Sequence, residues 1–216
     1  MNLRAEPPLP NSIDHPDSSA VTTSFFTSLI ERLKAPLRTG RPADMRSQRF
    51  VAVIECTLNQ NVRDAGAACC PAMNFGLIEL CHQHGVGLLA MPCPEIAALG
   101  FRRARQGGQT IRQALDTQAG RQACAALAAQ VAERIGQQLA AGDELLAVLG
   151  GNPGSPGCAV HVDDAGLAAK SGVFMQELHD ELGRRGLLPT FRGIRDATPE
   201  LLAEDLGWLR DAIARP

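Results

Sequence analysis

Three short apolar runs along the chain each lead into a cysteine. They are FVAVIE before Cys56, GLLAMP before Cys93 and LAVLGGNPGSPG before Cys158. Apolar runs of this length are typical of strands that are buried on both faces, and segments with helical periodicity separate them. The alternation of strands and helices predicts an α/β fold, with a parallel sheet and helices on both of its faces.

The three cysteines follow strands whose carboxyl ends would share one edge of the sheet, where α/β proteins bind ligands. Cys56, Cys93 and Cys158 are therefore expected to lie close together. Thiolates select zinc, copper(I) or iron–sulfur clusters, and a structural zinc would want a fourth ligand that no C-x-x-C pair supplies here. Each cysteine could instead be a small core residue.

The chain divides into an N-terminal extension and a single domain. Residues 1–20 are rich in Pro, Ser and Asp and are expected to form a disordered leader. A helix and a connector are expected over 21–48, and the α/β domain over 49–216. Within the domain, helices are predicted over about 67–84, 117–141, 172–185 and 199–214, and a fourth strand over 187–194.

Composition limits the classes of function. The net charge is −2, which gives no global attraction to nucleic acid. The apolar stretches are too short for a membrane span, and the N-terminus has no secretory h-region. Seven cysteines, without the spacing of a small disulfide-linked domain, favour a reducing, cytoplasmic location.

The other four cysteines have simpler interpretations. Cys81 and Cys124 lie in helical segments and are predicted to be core residues. Cys69 and Cys70 are adjacent, near the predicted start of the helix at 67–84. They are interpreted as buried small residues, with a fourth metal ligand or a redox partner as the alternative.

Four blocks of sequence between residues 49 and 194 resemble the TudS-like thiouracil desulfidases, and among them a branch whose first loop reads C-x-L-N-x-N-x-R-x-x-G. The blocks are CTLNQNVRDAG at 56–66, MPCPE at 91–95, GSPGC at 154–158 and GVFM at 172–175. The chain departs from the family in two loops on the substrate side. Where the family has S-P-S-C-G, this chain has Gly157 in place of the second serine and Ala159 in place of the final glycine. Where the family has R-Y-D-G, this chain reads RDAG at 63–66.

The resemblance implies a Rossmann-like, cluster-binding catalytic domain over 49–216. The implied cofactor is a [4Fe-4S] cluster held by Cys56, Cys93 and Cys158, with one iron open. The implied reaction removes sulfur from the thiocarbonyl of a thiolated, nucleobase-like small molecule and releases hydrosulfide. The expected partner is that small molecule; no membrane is expected, nucleic acid is not favoured, and the oligomeric state stays open.

The resemblance also assigns two catalytic residues. The family's acidic residue corresponds to Glu95, two positions after Cys93, and is expected to act as general base and then as general acid. The family's site serine corresponds to Ser155, which is expected to bind the substrate or orient water. The alternative for Ser155 is a turn serine that precedes a proline.

Several polar residues are candidates for substrate binding. Asn59 and Arg63 in the first cysteine loop are the candidates there, although Asn59 and Asn61 could instead cap the loop. His161 is interpreted as a loop histidine rather than a fourth ligand. An arginine-rich segment with flexible glycines could bind phosphate, but it is more typical of a solvated loop. Its arginines are Arg102, Arg103, Arg105 and Arg112.

Two other classes of function fit the same residues. The first is an iron–sulfur or zinc protein without a hydrolytic role, acting in redox sensing or cluster handling. In that class, Cys69 or Cys70 would supply the thiolate that closes the open iron. The second is a small-molecule binding module that uses the edge of the sheet, with incidental cysteines.

Overall fold

The computed structural model describes residues 43–164 and 166–215, of which those from Arg46 onward belong to one compact unit. Its centre is a sheet of four parallel strands in the order β2-β1-β3-β6. A separate two-stranded antiparallel hairpin joins β4 and β5. The strands are β1 (Arg49–Ile54), β2 (Gly87–Met91), β3 (Glu144–Gly150), β4 (Val162–Asp163), β5 (Gly166–Leu167) and β6 (Phe191–Gly193).

The helices lie between the strands and cover both faces of the sheet. They are α1 (Glu55–Leu58), α2 (Phe75–Gln83), α3 (Pro94–Leu99), α4 (Ile111–Leu115), α5 (Gln118–Ala140), α6 (Val173–Arg184) and α7 (Pro199–Ala214). The prediction of a parallel α/β fold with helices on both faces is confirmed.

The alternation of side chains along β1 explains why its whole run is apolar. Ala52 and Ile54 point into one buried cluster, which α5 and α6 cover, whereas Val51 and Val53 point into the other, which α2 and α7 cover. A strand at the centre of a parallel sheet has no face turned to water, so both sets of side chains must be apolar. The carboxyl end of the central strand, which leads to Cys56, therefore lies deep in the molecule.

Helix α5 shows how the chain builds one of these faces. The Thr117 side chain caps it by accepting a hydrogen bond from the Gly120 amide at 3.1 Å. Its buried stripe, which includes Cys124 and Val131, faces the sheet. Cys124 is fully buried and Cys81, in α2, is nearly so, which confirms both as core residues. Among the described helices, none has both the length and the apolar character needed to cross a membrane.

The helix predicted over 67–84 is wrong in its first two turns. It begins only at Phe75, because the Asn74 side chain accepts a hydrogen bond from the Leu77 amide and caps it there. Pro71 could not donate the backbone hydrogen bond that an interior helical position requires. Cys69 and Cys70 therefore lie in a loop rather than at a helix start.

The other predicted elements fall within a few residues of those observed. The helices at 117–141, 172–185 and 199–214 correspond to α5, α6 and α7, and the fourth strand is the short β6. The leader at 1–20 and the helix of the 21–48 segment lie outside the described residues. From residue 43 to the start of β1 the connector contains no helix or strand.

Candidate functional site

A cavity of about 370 Å³ lies past the carboxyl ends of β1 and β3. This volume is within the range of small-molecule sites, about 300–1,000 Å³. Cys56, Cys93 and Cys158 all line it, together with Glu95 and Ser155. The chain thus brings together, from three separate loops, the three cysteines that the sequence predicted to converge.

Cys56 is placed by the end of the central strand. Strand β1 stops at Ile54, and the single turn of α1 that follows carries the cysteine. Burial raises the pKa of the Cys56 thiol, while the charge of Arg63 and a hydrogen bond from its side chain oppose the rise. A cationic group therefore already lies beside this thiol.

Cys93 sits at the N-terminus of α3, where Pro94 fixes the first helical residue. Its backbone amide donates to the Glu55 carboxylate at 2.9 Å, which joins the first and second cysteine loops. Burial raises the pKa of the Cys93 thiol, and hydrogen bonds from the Ile96 and Glu95 amides oppose the rise. Free amides at a helix start favour the thiolate in this way.

Cys158 is the most enclosed of the three. Burial strongly raises the pKa of its thiol, nearby Cys56 and Cys93 raise it further, and Ser155 opposes the rise. The Ser155 hydroxyl lies 3.0 Å from the Cys158 sulfur. A side chain at Gly151 would come within 2.8 Å of that sulfur, so glycine is needed for the strand end to pass it.

The glycines around Cys158 also permit close backbone packing. The Val173 and Phe174 amides at the start of α6 donate to the carbonyls of Pro156 and Gly157 at 3.1 and 3.0 Å. A side chain at Gly157 would approach Pro94 Cγ to 2.7 Å. Gly157, which stands where the family pattern has serine, therefore lets the third cysteine loop pack against the start of α3.

Glu95 extends from α3 into the cavity, and its side chain is only 12% exposed. Burial raises the pKa of its carboxyl, and Arg103 opposes the rise through an ion pair at 3.4 Å. Arg103 is itself buried and holds a left-handed φ of 47°. Its guanidinium also donates to the carbonyls of Val62 and Phe101 and lies 3.7 Å from the Cys93 sulfur.

The arginine-rich segment is therefore not a uniformly solvated loop. Arg102 and Arg105 are exposed, as expected, but Arg103 is only 2% exposed and belongs to the cavity wall. Arg112 donates to the Ser171 carbonyl at 2.8 Å. The prediction is wrong for Arg103 because a carboxylate, two carbonyls and a thiol together satisfy its donors, which makes its burial tolerable.

A buried polar network adjoins the cavity, and two of its members, Arg63 and Asn152, line it. Asp196 accepts hydrogen bonds from Arg63 at 2.6 Å, from Asn152 at 2.6 Å and from Gln60 at 3.3 Å. The side chains of Arg63 and Asp196 are 9% and 5% exposed. The network joins the loops that follow β1, β3 and β6, and Arg63 is its member that reaches the thiols.

The structure separates the remaining predicted site residues. Arg63 lines the cavity, whereas Asn59 does not: its exposed side chain accepts hydrogen bonds from the Asn61 amide and side chain and caps the following turn. His161 lies outside the cavity as well, with its ring 3.0 Å from the Pro153 carbonyl. The capping alternative thus describes the contacts of Asn59.

Sequence reasoning missed two polar residues that line the cavity, Asp64 and Asn152, and one that supports its wall, Asp196. Asp64 and Asn152 were present in loops already singled out, and Asn152 directly follows β3. Asp196, which holds Arg63, could have been found by the logic used for the cysteines, because it follows the carboxyl end of the fourth parallel strand. Apart from this position after the strand, the sequence around Asp196 contains no signal of a site residue.

The donor set can be compared with what each metal centre requires. Within 43–164 and 166–215, no group of three or more His, Cys, Asp or Glu side chains is arranged to hold a metal ion. Three thiolates on one tetrahedral zinc, each about 2.3 Å from it, would stand within about 4 Å of one another. A four-iron cluster spreads its cysteines over different iron atoms and so suits thiols that are further apart. Cys56, Cys93 and Cys158 line one cavity and offer the soft thiolate donors that such a cluster takes.

The fold and the site define a Rossmann-like α/β protein with a thiol-lined cavity at the carboxyl edge of its parallel sheet. Comparison with protein-family models, with curated proteins and with solved structures finds no match to the chain. A functional assignment therefore has to be argued from the chemistry of the cavity.

Proposed function

We propose that the protein is an iron–sulfur-cluster-dependent desulfidase of the TudS-like kind. The substrate would be a thiolated, nucleobase-like small molecule, and the products its oxo form and hydrosulfide. The observation that carries the proposal is the shared cavity, in which Cys56, Cys93 and Cys158 face the same space as the carboxyl of Glu95. All seven cysteines are free thiols, which suits the reducing cytoplasm that we propose as its location.

The reaction exchanges sulfur for oxygen without a net change of oxidation state. When bound, the cluster supplies a Lewis acid that attracts a soft sulfur atom and withdraws electron density from the thiocarbonyl carbon. Water adds to that carbon, the new C–O bond replaces the C–S bond, and the electron pair of the broken bond leaves with sulfur as hydrosulfide. No oxidant or reductant is needed.

Glu95 is the group that handles the protons. Its carboxylate accepts a proton from the attacking water and returns it as the sulfur departs. Burial raises the pKa of this carboxyl, which brings it closer to the pH at which proton transfer in both directions is efficient. Arg103 pairs with one oxygen of the carboxyl at 3.4 Å, and both side chains line the cavity.

Ser155 and Arg63 bind and orient the substrate. The Ser155 hydroxyl, 3.0 Å from the Cys158 sulfur, orients water or a ring atom of the substrate beside the third cysteine. Arg63 offers a positive charge in the cavity wall, where a negative sulfur would be stabilised. Asn59 has no place in this arrangement, because it lies outside the cavity.

Anaerobic reconstitution with iron and sulfide tests the cofactor. The wild-type protein should bind about four irons per chain, and serine at Cys56, Cys93 or Cys158 should reduce that number and change the absorption and Mössbauer spectra. Cys70→Ser is the matched control, because this thiol is close in sequence but lies outside the cavity. Full cluster binding by the variant with all three cysteines replaced would refute the ligand assignment.

Glu95→Gln tests the proton-transfer role. The variant should retain its cluster but lose roughly 10²–10⁴-fold in the rate of hydrosulfide release from thiouracil and related thiolated bases, the usual contribution of a general acid–base residue. Glu177→Gln is the control, since this carboxyl belongs to an ion pair with Arg121 away from the cavity. Unchanged turnover in the Glu95 variant would remove that residue from the mechanism.

A second candidate function rests on Cys69. This thiol lines the same cavity as the three proposed ligands. Four permanent cysteine ligands would give an iron–sulfur protein in redox sensing or cluster handling, with no hydrolytic role. Such a protein would bind the cluster but release no hydrosulfide from any thiolated base.

A further inference from the structure

We propose that Cys69 is an exchangeable fourth thiolate ligand, which closes the open iron of the cluster until substrate sulfur displaces it. The inference rests on the proposed function, because it requires the cluster and its open position. Its starting point is that Cys69 lines the cavity with Cys56, Cys93 and Cys158, whereas the adjacent Cys70 does not.

The two adjacent cysteines have different surroundings. The Cys70 sulfur lies 3.1 Å from the Met73 carbonyl, within its own loop. The Cys69 sulfur lies 2.9 Å from an Arg63 nitrogen that donates to it. The sequence does not distinguish the two residues, whereas in the tertiary structure only Cys69 of the two lines the cavity.

A buried glutamine sets the distance between Cys69 and the first ligand. Gln60 is 1% exposed, its side-chain oxygen accepts from the Cys69 amide at 3.0 Å, and its side-chain nitrogen donates to the Cys56 carbonyl at 2.8 Å. Arg63 adds a second link, because it donates a hydrogen bond to the Cys69 sulfur and its charge acts on the Cys56 thiol. Cys69 is therefore held against the site by groups that also hold a ligand.

Cys69 differs from the three other thiols in the exposure of its side chain and in lying outside any helix or buried loop. Cys56 lies in α1, Cys93 starts α3, and Cys158 is buried behind α6. Cys69 is exposed, in the loop at 63–74 that contains no helix or strand. A residue in such a loop can move away at a small free-energy cost, as a displaceable ligand must.

The exchange is a ligand substitution without electron transfer. The Cys69 thiol would lose its proton when its sulfur binds iron, and it would remain a thiolate when the sulfur of the substrate takes its place. The guanidinium of Arg63 stabilises the thiolate by a charge-assisted hydrogen bond while it is displaced. Hydrosulfide departure lets the thiolate bind again, so iron is not left open to solvent between turnovers.

Thiol labelling of the reconstituted protein tests this inference. Cluster-free and cluster-loaded protein are pulsed anaerobically with iodoacetamide, and each cysteine is quantified by site-resolved mass spectrometry. Loading should slow labelling of Cys69 by roughly tenfold or more, because only a free thiolate reacts, and should change Cys70 less than about twofold. Adding 2- or 4-thiouracil to the loaded protein should restore the labelling of Cys69.

The outcomes separate this inference from the proposed function. Equal labelling of Cys69 with and without about four bound irons would refute Cys69 as the fourth ligand. It would not contradict the proposed desulfidase function. Protection of Cys69 that no thiolated base relieves, with no hydrosulfide released, would overturn the exchange and favour the non-hydrolytic protein. Failure of the wild type to bind iron would refute the proposed function itself.

A pair of variants gives an independent readout. Cys69→Ala should keep the cluster and bind cyanide, a small exogenous ligand, at the open iron, which shifts the electron paramagnetic resonance spectrum of the reduced cluster. The wild type and Cys70→Ala should show that shift only at roughly tenfold higher cyanide, because Cys69 competes for the iron. The same cyanide response in all three proteins would contradict the assignment.

Discussion

Two buried aspartates near the C-terminal end of the sheet bind arginines with different consequences. Asp205 in α7 is fully buried and bonds to Arg192 and Arg195, whose side chains are 34% and 25% exposed. Asp196, nine residues earlier, bonds to Arg63, whose side chain is only 9% exposed. The carboxylates are alike, but the arginines differ in whether they can reach water.

The difference in burial separates a pair whose arginines reach water from a pair whose arginine lies in the cavity wall. Arg192 and Arg195 join the loop after β6 to α7, and their outer atoms remain hydrated. Arg63 points inward to the thiols of Cys56 and Cys69, so its charge acts on the cavity. A charge that cannot be hydrated depends more strongly on its partner, which makes the Asp196 pair the more sensitive of the two.

Asp196→Asn should have the largest effect. It leaves the buried Arg63 without a counter-charge, and we expect the free energy of unfolding of the cluster-free protein to fall by about 3 kcal/mol in urea denaturation. The reconstituted variant should also bind less iron, because Arg63 would lose its position beside Cys56. A loss below about 1 kcal/mol, the level of exposed pairs, would show that Arg63 is hydrated after all.

Asp205→Asn should lower the free energy of unfolding by less, about 2 kcal/mol, because Arg192 and Arg195 can turn to solvent. Its iron content after reconstitution should equal that of the wild type, which makes it the matched control for Asp196→Asn. An iron loss as large as that of the Asp196 variant would contradict the distinction drawn between the two pairs.

The stability that the Asp205 pair contributes should also depend on pH. Burial by itself raises the pKa of the Asp205 carboxyl, but hydrogen bonds from Arg195 and Arg192 outweigh burial and hold the pKa below its usual value. The stability that this group contributes is therefore present above the unfolded pKa of about 3.9 and is lost as the pH falls through the folded value. Urea titrations should show a constant difference between wild type and variant above about pH 5, and a shrinking one below about pH 4.

Glu144→Gln should have the smallest effect. Glu144 is 60% exposed and pairs with Arg49 at 3.2 Å on the surface of the sheet. We expect the free energy of unfolding to fall by less than about 1 kcal/mol, and by less still in high salt, because water and ions screen the pair. A larger loss would show that exposure is a poor guide to the value of an ion pair in this protein.

The sheet and the convergence of its cysteines follow from local pattern. The run before Cys56 is apolar on both faces, so it could only be a central strand, and parallel strands bring their carboxyl ends to one edge. This reasoning places Cys56, Cys93 and Cys158 around one cavity without any tertiary information. Glu95 follows with Cys93, because it lies two residues further along the same loop and helix.

The loop at 63–74 shows where local pattern fails. The predicted helix begins at about residue 67 within this segment, but Asn74 caps the helix at a later point than the sequence predicts. The start of a helix depends on which side chain reaches a free amide, and several polar residues compete for that role. As a result, the exposure of Cys69 and its place in the cavity could not be predicted.

The sequence by itself determined the parallel sheet, its two apolar faces and the shared edge at which three thiols gather, because the alternation of apolar strands with helices is set by residues that are neighbours in the chain. Only the tertiary structure decided which charged groups surround those thiols. Arg103 and Asp196 are buried because distant carbonyls, amides and charges satisfy them, and such partners leave no trace in the local pattern. For the same reason, the tertiary structure alone distinguishes Cys69 from Cys70.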